Sequence, residues 1–475
     1  MSRINTNVPS LVAAQNLSRN NEALNLSLER LSTGLRINKG KDDPAGLIAS
    51  ETLRSEITAI SSAIDNARRA DMMISIAEGA LQEVSALMLE LESLVDHTAN
   101  EAGLSDEEVA ANQLQIDSIL DTINRISTST EFQGKKLLNG SLDYSTTGVS
   151  TGTTASAISH LQITSARIPN GGSRSVVVEV TQSAETARLT YSGGTLSSGG
   201  SIQIAGNRGT EQVSFSSGTA VSAIVAAVNQ SSSLTGVSAS LSGTVVHFSS
   251  TEYGSDAFVS VEAISGTFAV TGGDSSTKDT GVDVGLRING VEAITSGLDA
   301  SLRTTALSLD LTLAAAFGTQ TALSKSFTIT GGGANFSIAP TLGINAMASL
   351  GIANVATGSL GRGNIGYLST LGTGQANQLT SGNFDTGQQI LREANKQISG
   401  LRGRLGAFQK NTLGSTINAL GIALENTTAA ESAIRDADFA TETSKLTRAQ
   451  ILVQSTTAVL QLSNQMPQAV LSLIG

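Results

Sequence analysis

Residues 17–35, LSRNNEALNLSLERLSTGL, decide the fold class of this chain. Leu17, Leu24 and Leu31 recur every seven residues, and Leu28 and Leu35 do the same on the neighbouring register, so apolar positions alternate in steps of three and four. That spacing predicts a coiled-coil seam on a helix. Gly34 interrupts it, and Lys39-Gly40-Lys41-Asp42-Asp43-Pro44-Ala45-Gly46 reads as a turn. Asp43, preceding proline, is pushed out of the α region, and Pro44 suits the first position of a new helix.

Outward from that seam the helical pattern continues. From Ala45 to Asn100 there is no proline, and Leu53, Ile57, Ile60, Ile64, Ala67, Ile74, Leu81, Val84 and Leu91 keep helical spacing. Fully helical, this stretch would span about 80 Å at 1.5 Å per residue, a rod no compact globule needs. Ser105-Asp106-Glu107-Glu108 is a capping signal for a second helix through Ile116, Ile119, Leu120, Ile123 and Ile126, ending near Thr130. At the other end, Ile398, Leu401, Leu405 and Phe408 step by three and four, and Ile417, Leu420 and Leu424 resume after a two-residue slip. A last helix then aligns Leu446, Ala449, Val453, Thr456, Leu460 and Ser463.

The middle differs in kind. Seven glycines fall in residues 1–140, seven in 386–475, and the other 34 of 48 between them. Ser175–Val180, Gln212–Phe215, Gly243–Phe248, Ala257–Val261, Leu286–Val291 and Ser326–Gly331 read as short strands divided by Gly/Ser turns, and Val221–Asn229 as a short helix. These apolar runs are too frequent for a disordered linker. The expected class is therefore α+β: a long antiparallel helical rod or coiled coil built from both termini, carrying an inserted β-rich central domain.

Composition narrows the function. The chain has 475 residues, no Cys or Trp, three His, 3% aromatics and a formal net charge of −11. Disulfides are excluded and Cys/His metal sites are poorly supplied. An acidic surface argues against nucleic acid, which needs a basic patch. Met1 to Leu17 has one Arg and scattered apolar residues, so no cleaved signal peptide is expected. No stretch of about 18 uninterrupted apolar residues suggests membrane insertion; Ala449–Gly475 is uncharged, but its glutamines and asparagines suit a helix buried against helices. His97, His160 and His247 are isolated, no His-Glu-x-x-His occurs, and Gly331-Gly332-Gly333 lacks a following Lys-Ser/Thr, so it reads as a turn. The acidic pairs Asp42-Asp43 and Asp106-Glu107-Glu108 are explained by loop and helix-start roles. No enzyme activity and no cofactor are expected.

Both ends resemble bacterial flagellin. The N-terminal resemblance runs through Asn5-Thr6-Asn7, Leu31 to Asn38, Lys41 to Gly46 and Phe132 to Gly140; the C-terminal one through Leu405-Gly406-Ala407, Glu425-Asn426, Ala429 to Asp438 and Asn464 to Gln468. Gly331 to Gly361 resembles the segment returning from the variable domain in many flagellins.

The resemblance implies an extracellular filament of about eleven protofilaments built by head-to-tail contacts that do not close. It also implies type III export, with an export chaperone, a filament cap and hook-junction proteins as partners. Its domain plan would be an inner-tube helix and turn over 1–44, a helical rod over 45–155, a variable outer insertion over 156–330, a return segment and rod over 331–435, and a second inner-tube helix over 436–475. Insertion Ser/Thr side chains could accept O-linked glycans.

The assembly residues expected on this reading are Leu17, Leu24, Leu28, Leu31, Arg36, Asp42, Asp43, Leu446, Val453, Leu460 and Val470. The chain departs from the family at Glu90, where an Arg is expected, and at Gln115, where a Glu is expected, in a segment that resembles the part read by a vertebrate Toll-like receptor. A hook-filament junction protein and a surface-layer or adhesin protein are the rival readings.

Overall fold

A computed structural model describes residues 6–100, 103–149, 157–168, 172–275, 277–341, 343 and 346–474, with side chains described as far as Met466. Among the described residues the α-helices of ten residues or more are α1 (Val8–Thr33), α2 (Pro44–Thr98), α3 (Asp106–Ser129), α4 (Val221–Gln230), α5 (Phe384–Ala407), α6 (Ser415–Arg435) and α7 (Phe439–Ile474), with strands between α3 and α5. Two compact units result: Met1–Arg68, Ile338–Leu342 and Leu413–Gly475 form one, Arg69–Ser337 and Gly343–Thr412 the other.

The first unit is helical. Asn7 caps α1 through a bond from the Ser10 amide to its side chain, and Gly34 ends it in the left-handed conformation at φ 74°, which only glycine adopts without cost. Asp43 caps α2, its Oδ1 accepting the Gly46 amide at 2.9 Å, and Pro44 takes the first helical position as predicted.

In the second unit the three-four seam is longest. Ala70, Ile74, Ala77, Leu81, Val84, Met88, Leu91 and Val95 of α2 are buried in unbroken steps of three and four. From Ala70 onward this stripe packs within the unit, where Ile116, Leu120 and Ile123 of α3 and Ala394, Ile398, Leu401 and Leu405 of α5 carry the same spacing. Polar rungs fix α5 and the turn after it antiparallel to α2: Asn395 to Glu92 at 3.4 Å and Arg402 to Glu78 at 2.9 Å from α5, and Gln409 just beyond it to Ser75 at 2.9 Å. By length and composition α2 could cross a membrane; this stripe buries part of its apolar content, while Ile48, Met72, Ile76 and Leu89 stay exposed. The predicted capping box at Ser105 and Glu108 is formed in both directions. The two-residue slip has a physical cause: Phe408–Gly414 winds as a π-helix, which resets the phase so that Leu413 is buried.

The β region holds two cores. In the first, a five-stranded sheet in the order Val291–Glu292, Gly285–Ile288, Arg174–Gln182, Ser324–Gly332, Tyr144–Thr147 is joined by a four-stranded sheet ordered Ile294–Ser296, Asp299–Arg303, Leu307–Leu313, Ile158–Ala166. Val176, Val178, Ile288 and Phe327 of one and Ile163, Leu302, Leu309 and Leu311 of the other form the shared core.

The second core is nested inside the first. The chain leaves at Glu185 and returns at Val282, and these two residues exchange backbone hydrogen bonds at 2.9 and 3.0 Å. Between them lie a three-stranded and a four-stranded sheet and α4, which contributes Ile224 and Val228.

Two strand expectations change. Leu286–Val291 is a hairpin, because Asn289 and Gly290 take φ 51° and 81°, the type I′ geometry that Asn-Gly favours. Gly331 and Gly332 continue a strand through a bulge rather than ending it.

Candidate self-assembly surface

α1 and α7 pair antiparallel through a polar ladder. Asn7 Nδ2 donates to the Ser463 carbonyl at 2.7 Å, Ser10 Oγ to Asn464 Oδ1 at 2.7 Å, and Ser27 Oγ to Glu442 Oε1 at 3.0 Å. Glu442 is 4% exposed and is held also by Lys445 at 3.1 Å and Arg30 at 3.8 Å. With Glu442, the small residues Ala13, Ser27, Ala449 and Ser463 are the buried members of this seam among the described residues.

The sequence-selected leucines sit differently. Leu17, Leu24, Leu31, Leu446, Val453 and Leu460 line the same side of their helices but are only half-buried, and Leu28 is 47% exposed. Small residues bring the helix backbones close enough that the longer side chains flank the seam instead of filling it. The Val470 side chain lies outside the described residues.

Arg36, Asp42 and Asp43 are used within the chain. The Arg36 amide donates to the Arg435 carbonyl at 2.6 Å, and its guanidinium donates to the Ile434 carbonyl and lies 3.8 Å from Asp43. Asp42 Oδ2 accepts the Asn38 and Lys39 amides at 3.1 and 2.9 Å; the Lys39 amide bond foremost holds this carboxyl below its ordinary range. Ile37, 1% exposed, pins the turn, and Arg435 reaches Glu51 of α2 at 3.2 Å.

Each terminal helix bears a second apolar face. On α7, Ile451, Leu452, Val459, Leu462 and Met466 are 44–63% exposed; at 100° per residue Ile451 and Leu462 fall opposite the stripe through Leu446, Val453 and Leu460, with Met466 and Val459 beside them and Leu452 on the flank nearest the seam. On α1, Val8, Leu11 and Val12 are 51–65% exposed and lie opposite Ala13, Leu17 and Leu24. The signal was in the sequence: Leu452, Val459 and Met466 recur every seven residues, as regularly as Leu17, Leu24 and Leu31. In the other unit, Glu90 on α2 and Gln115 on α3 are both exposed.

Residues 4–143 match the family model of the bacterial flagellin N-terminal helical region, and residues 388–474 that of the C-terminal helical region. Residues 201–251, in the nested β core, match the flagellin hook IN motif, a family likeness the sequence reading of the middle did not anticipate. B-type flagellin of Pseudomonas aeruginosa is 29% identical, covering 99% of each chain. Flagellin E of Vibrio cholerae is 42% identical over 137 residues, 29% of this chain and 36% of its own. A solved flagellar junction protein from Legionella pneumophila covers 82% of this chain and 99% of its own at 12% identity, with a TM-score of 0.28 that is too low to support a fold argument.

Proposed function

This chain belongs to the bacterial flagellin family, and we propose that the outward apolar faces of α1 and α7 are the surfaces through which it polymerises. It is a structural subunit of the extracellular flagellar filament, which serves motility. The observation that carries the assembly reading is the two-sidedness of α7: one stripe is covered by α1 and the opposite one, centred on Ile451, Val459 and Leu462, is bare. Covering the exposed half of each such side chain contributes about 1 kcal/mol, roughly half the value for full burial, and the contribution is repeated along the face and on every subunit. Repetition without closure gives a filament, and the resemblance to flagellin implies a tube of about eleven protofilaments.

The domain plan follows: 1–44 and 436–475 face the inner tube, 45–155 and 331–435 form the rod, and 156–330 stands outside, where Ser/Thr could carry O-linked glycans. Leu17, Leu24, Leu28, Leu31, Leu446, Val453, Leu460 and Val470 support the surface, and Arg36, Asp42 and Asp43 shape the turn beneath it. The export chaperone, filament cap and hook-junction proteins are its partners, with no nucleic acid and no bilayer. Glu90 and Gln115 would weaken recognition by a Toll-like receptor; gain of signalling by a Glu90→Arg, Gln115→Glu chain in reporter cells tests that. Electron microscopy of the purified, repolymerised chain tests the main reading: long tubes support it, whereas short oligomers or flat lattices would favour a junction or surface-layer protein.

A further inference from the structure

In the second unit, one face of α5 looks onto the four-stranded sheet across a cleft of about 470 Å³. Its acidic groups are already matched. Asp310 holds Arg303 at 2.6 Å, and Arg362 is shared between Glu393 at 2.6 Å and Asp299 at 3.6 Å. Lys396 is left over, and Arg404 keeps unused donors although the Asp310 and Asp143 carboxylates lie near it. Arg404 makes one hydrogen bond among the described residues, from Nη1 to Thr164 Oγ1 at 3.1 Å, and Lys396, two turns earlier on the same face, has no side-chain partner there. His160, on the facing strand, likewise makes no side-chain hydrogen bond among the described residues and lines the same cleft.

The geometry points to a binding site for a small oxyanion, a carboxylate or phosphate group, between Arg404, Lys396 and His160. A guanidinium with unused donors offers the planar fork that either group engages in pairs. Burial holds Arg404 below its ordinary range, so an anion there restores the solvation it has lost. Between Lys396 and Arg404 the helix carries Gly400, and a Cβ built on it meets nothing within 4 Å. Glycine in a helix interior is unfavourable, and here it leaves the floor of the cleft open. The chain's net charge of −11 disfavours unspecific anion binding, so saturation at this cleft is diagnostic. The site is independent of the assembly reading.

With only three His in the chain, imidazole proton NMR of the full-length monomer reads the site directly. Citrate and phosphate are titrated separately to millimolar concentration, and the His160 resonance is assigned with His160→Gln. The expected result is a saturable shift of His160 alone with one or both anions; which one acts identifies the preferred group. Lys396→Gln should weaken it about tenfold, the loss of one charge-assisted contact, and Gly400→Leu, which fills open space, should abolish it in a folded protein. No saturable shift with either anion, or a shift unchanged by Gly400→Leu, would overturn the proposal.

Discussion

Ser27 and Glu442 lie 415 residues apart in sequence, and the Ser27 hydroxyl donates to the Glu442 carboxylate at 3.0 Å in a buried setting. The two ends of the chain are thus locked in register by a carboxylate taken out of water. Removing one partner of such a group leaves the others unsatisfied, at about 1.5–3 kcal/mol for a bond to a charged group. Glu442→Ala should therefore loosen the α1–α7 pair by that amount. Faster amide exchange confined to the two terminal helices would show it; unchanged protection would mean the ladder contributes nothing.

Leu309→Ala tests the first β core. Leu309 is fully buried between the two sheets, and truncating such a leucine costs about 2–5 kcal/mol. Urea unfolding followed by near-ultraviolet circular dichroism should show the tyrosine-containing β region melting earlier while the far-ultraviolet helical signal persists. A single unshifted transition would contradict the separateness of that core.

Replacing residues 186–281 by a short Gly/Ser turn should leave the remaining chain folded and able to polymerise. Glu185 and Val282 already exchange backbone hydrogen bonds, so the junction is closed with or without the nested core. Loss of the helical dichroism in this variant would show that the core is not autonomous.

The turn at residues 34–46 should respond to acid in a defined direction. The Asp42 carboxyl is lowered from 3.8, chiefly by the Lys39 amide. Because the folded value is the lower one, its contribution is complete above the unfolded pKa and is lost as pH falls through the folded one. The Lys39 and Asn38 amide resonances should stay constant down to the ordinary aspartate range and move only below it. Movement at higher pH would contradict the assigned hydrogen bonds.

Much of this was readable in the chain. Helix starts at Pro44 and Ser105 are announced by local capping chemistry, and the seam of α2 by its unbroken three-four spacing. The second face of α7 was harder to see, because a helix apolar on two opposite sides shows no single stripe. The strand Leu307–Leu313 went unread even though Leu307, Leu309, Leu311 and Leu313 alternate with polar residues and are all buried. The nesting at Glu185 and Val282 and the gathering of His160, Lys396 and Arg404 along one cleft are long-range placements that no local pattern encodes.

The central claim is that the bare stripe of α7, and not the seam with α1, joins subunits. Its most direct test is electron microscopy of the full chain carrying Ile451→Asp and Leu462→Asp, both positions being more than half exposed. The monomer should keep its helical dichroism and form no tubes under conditions in which the unmodified chain grows long ones. Tubes of ordinary length from the double variant would contradict the account.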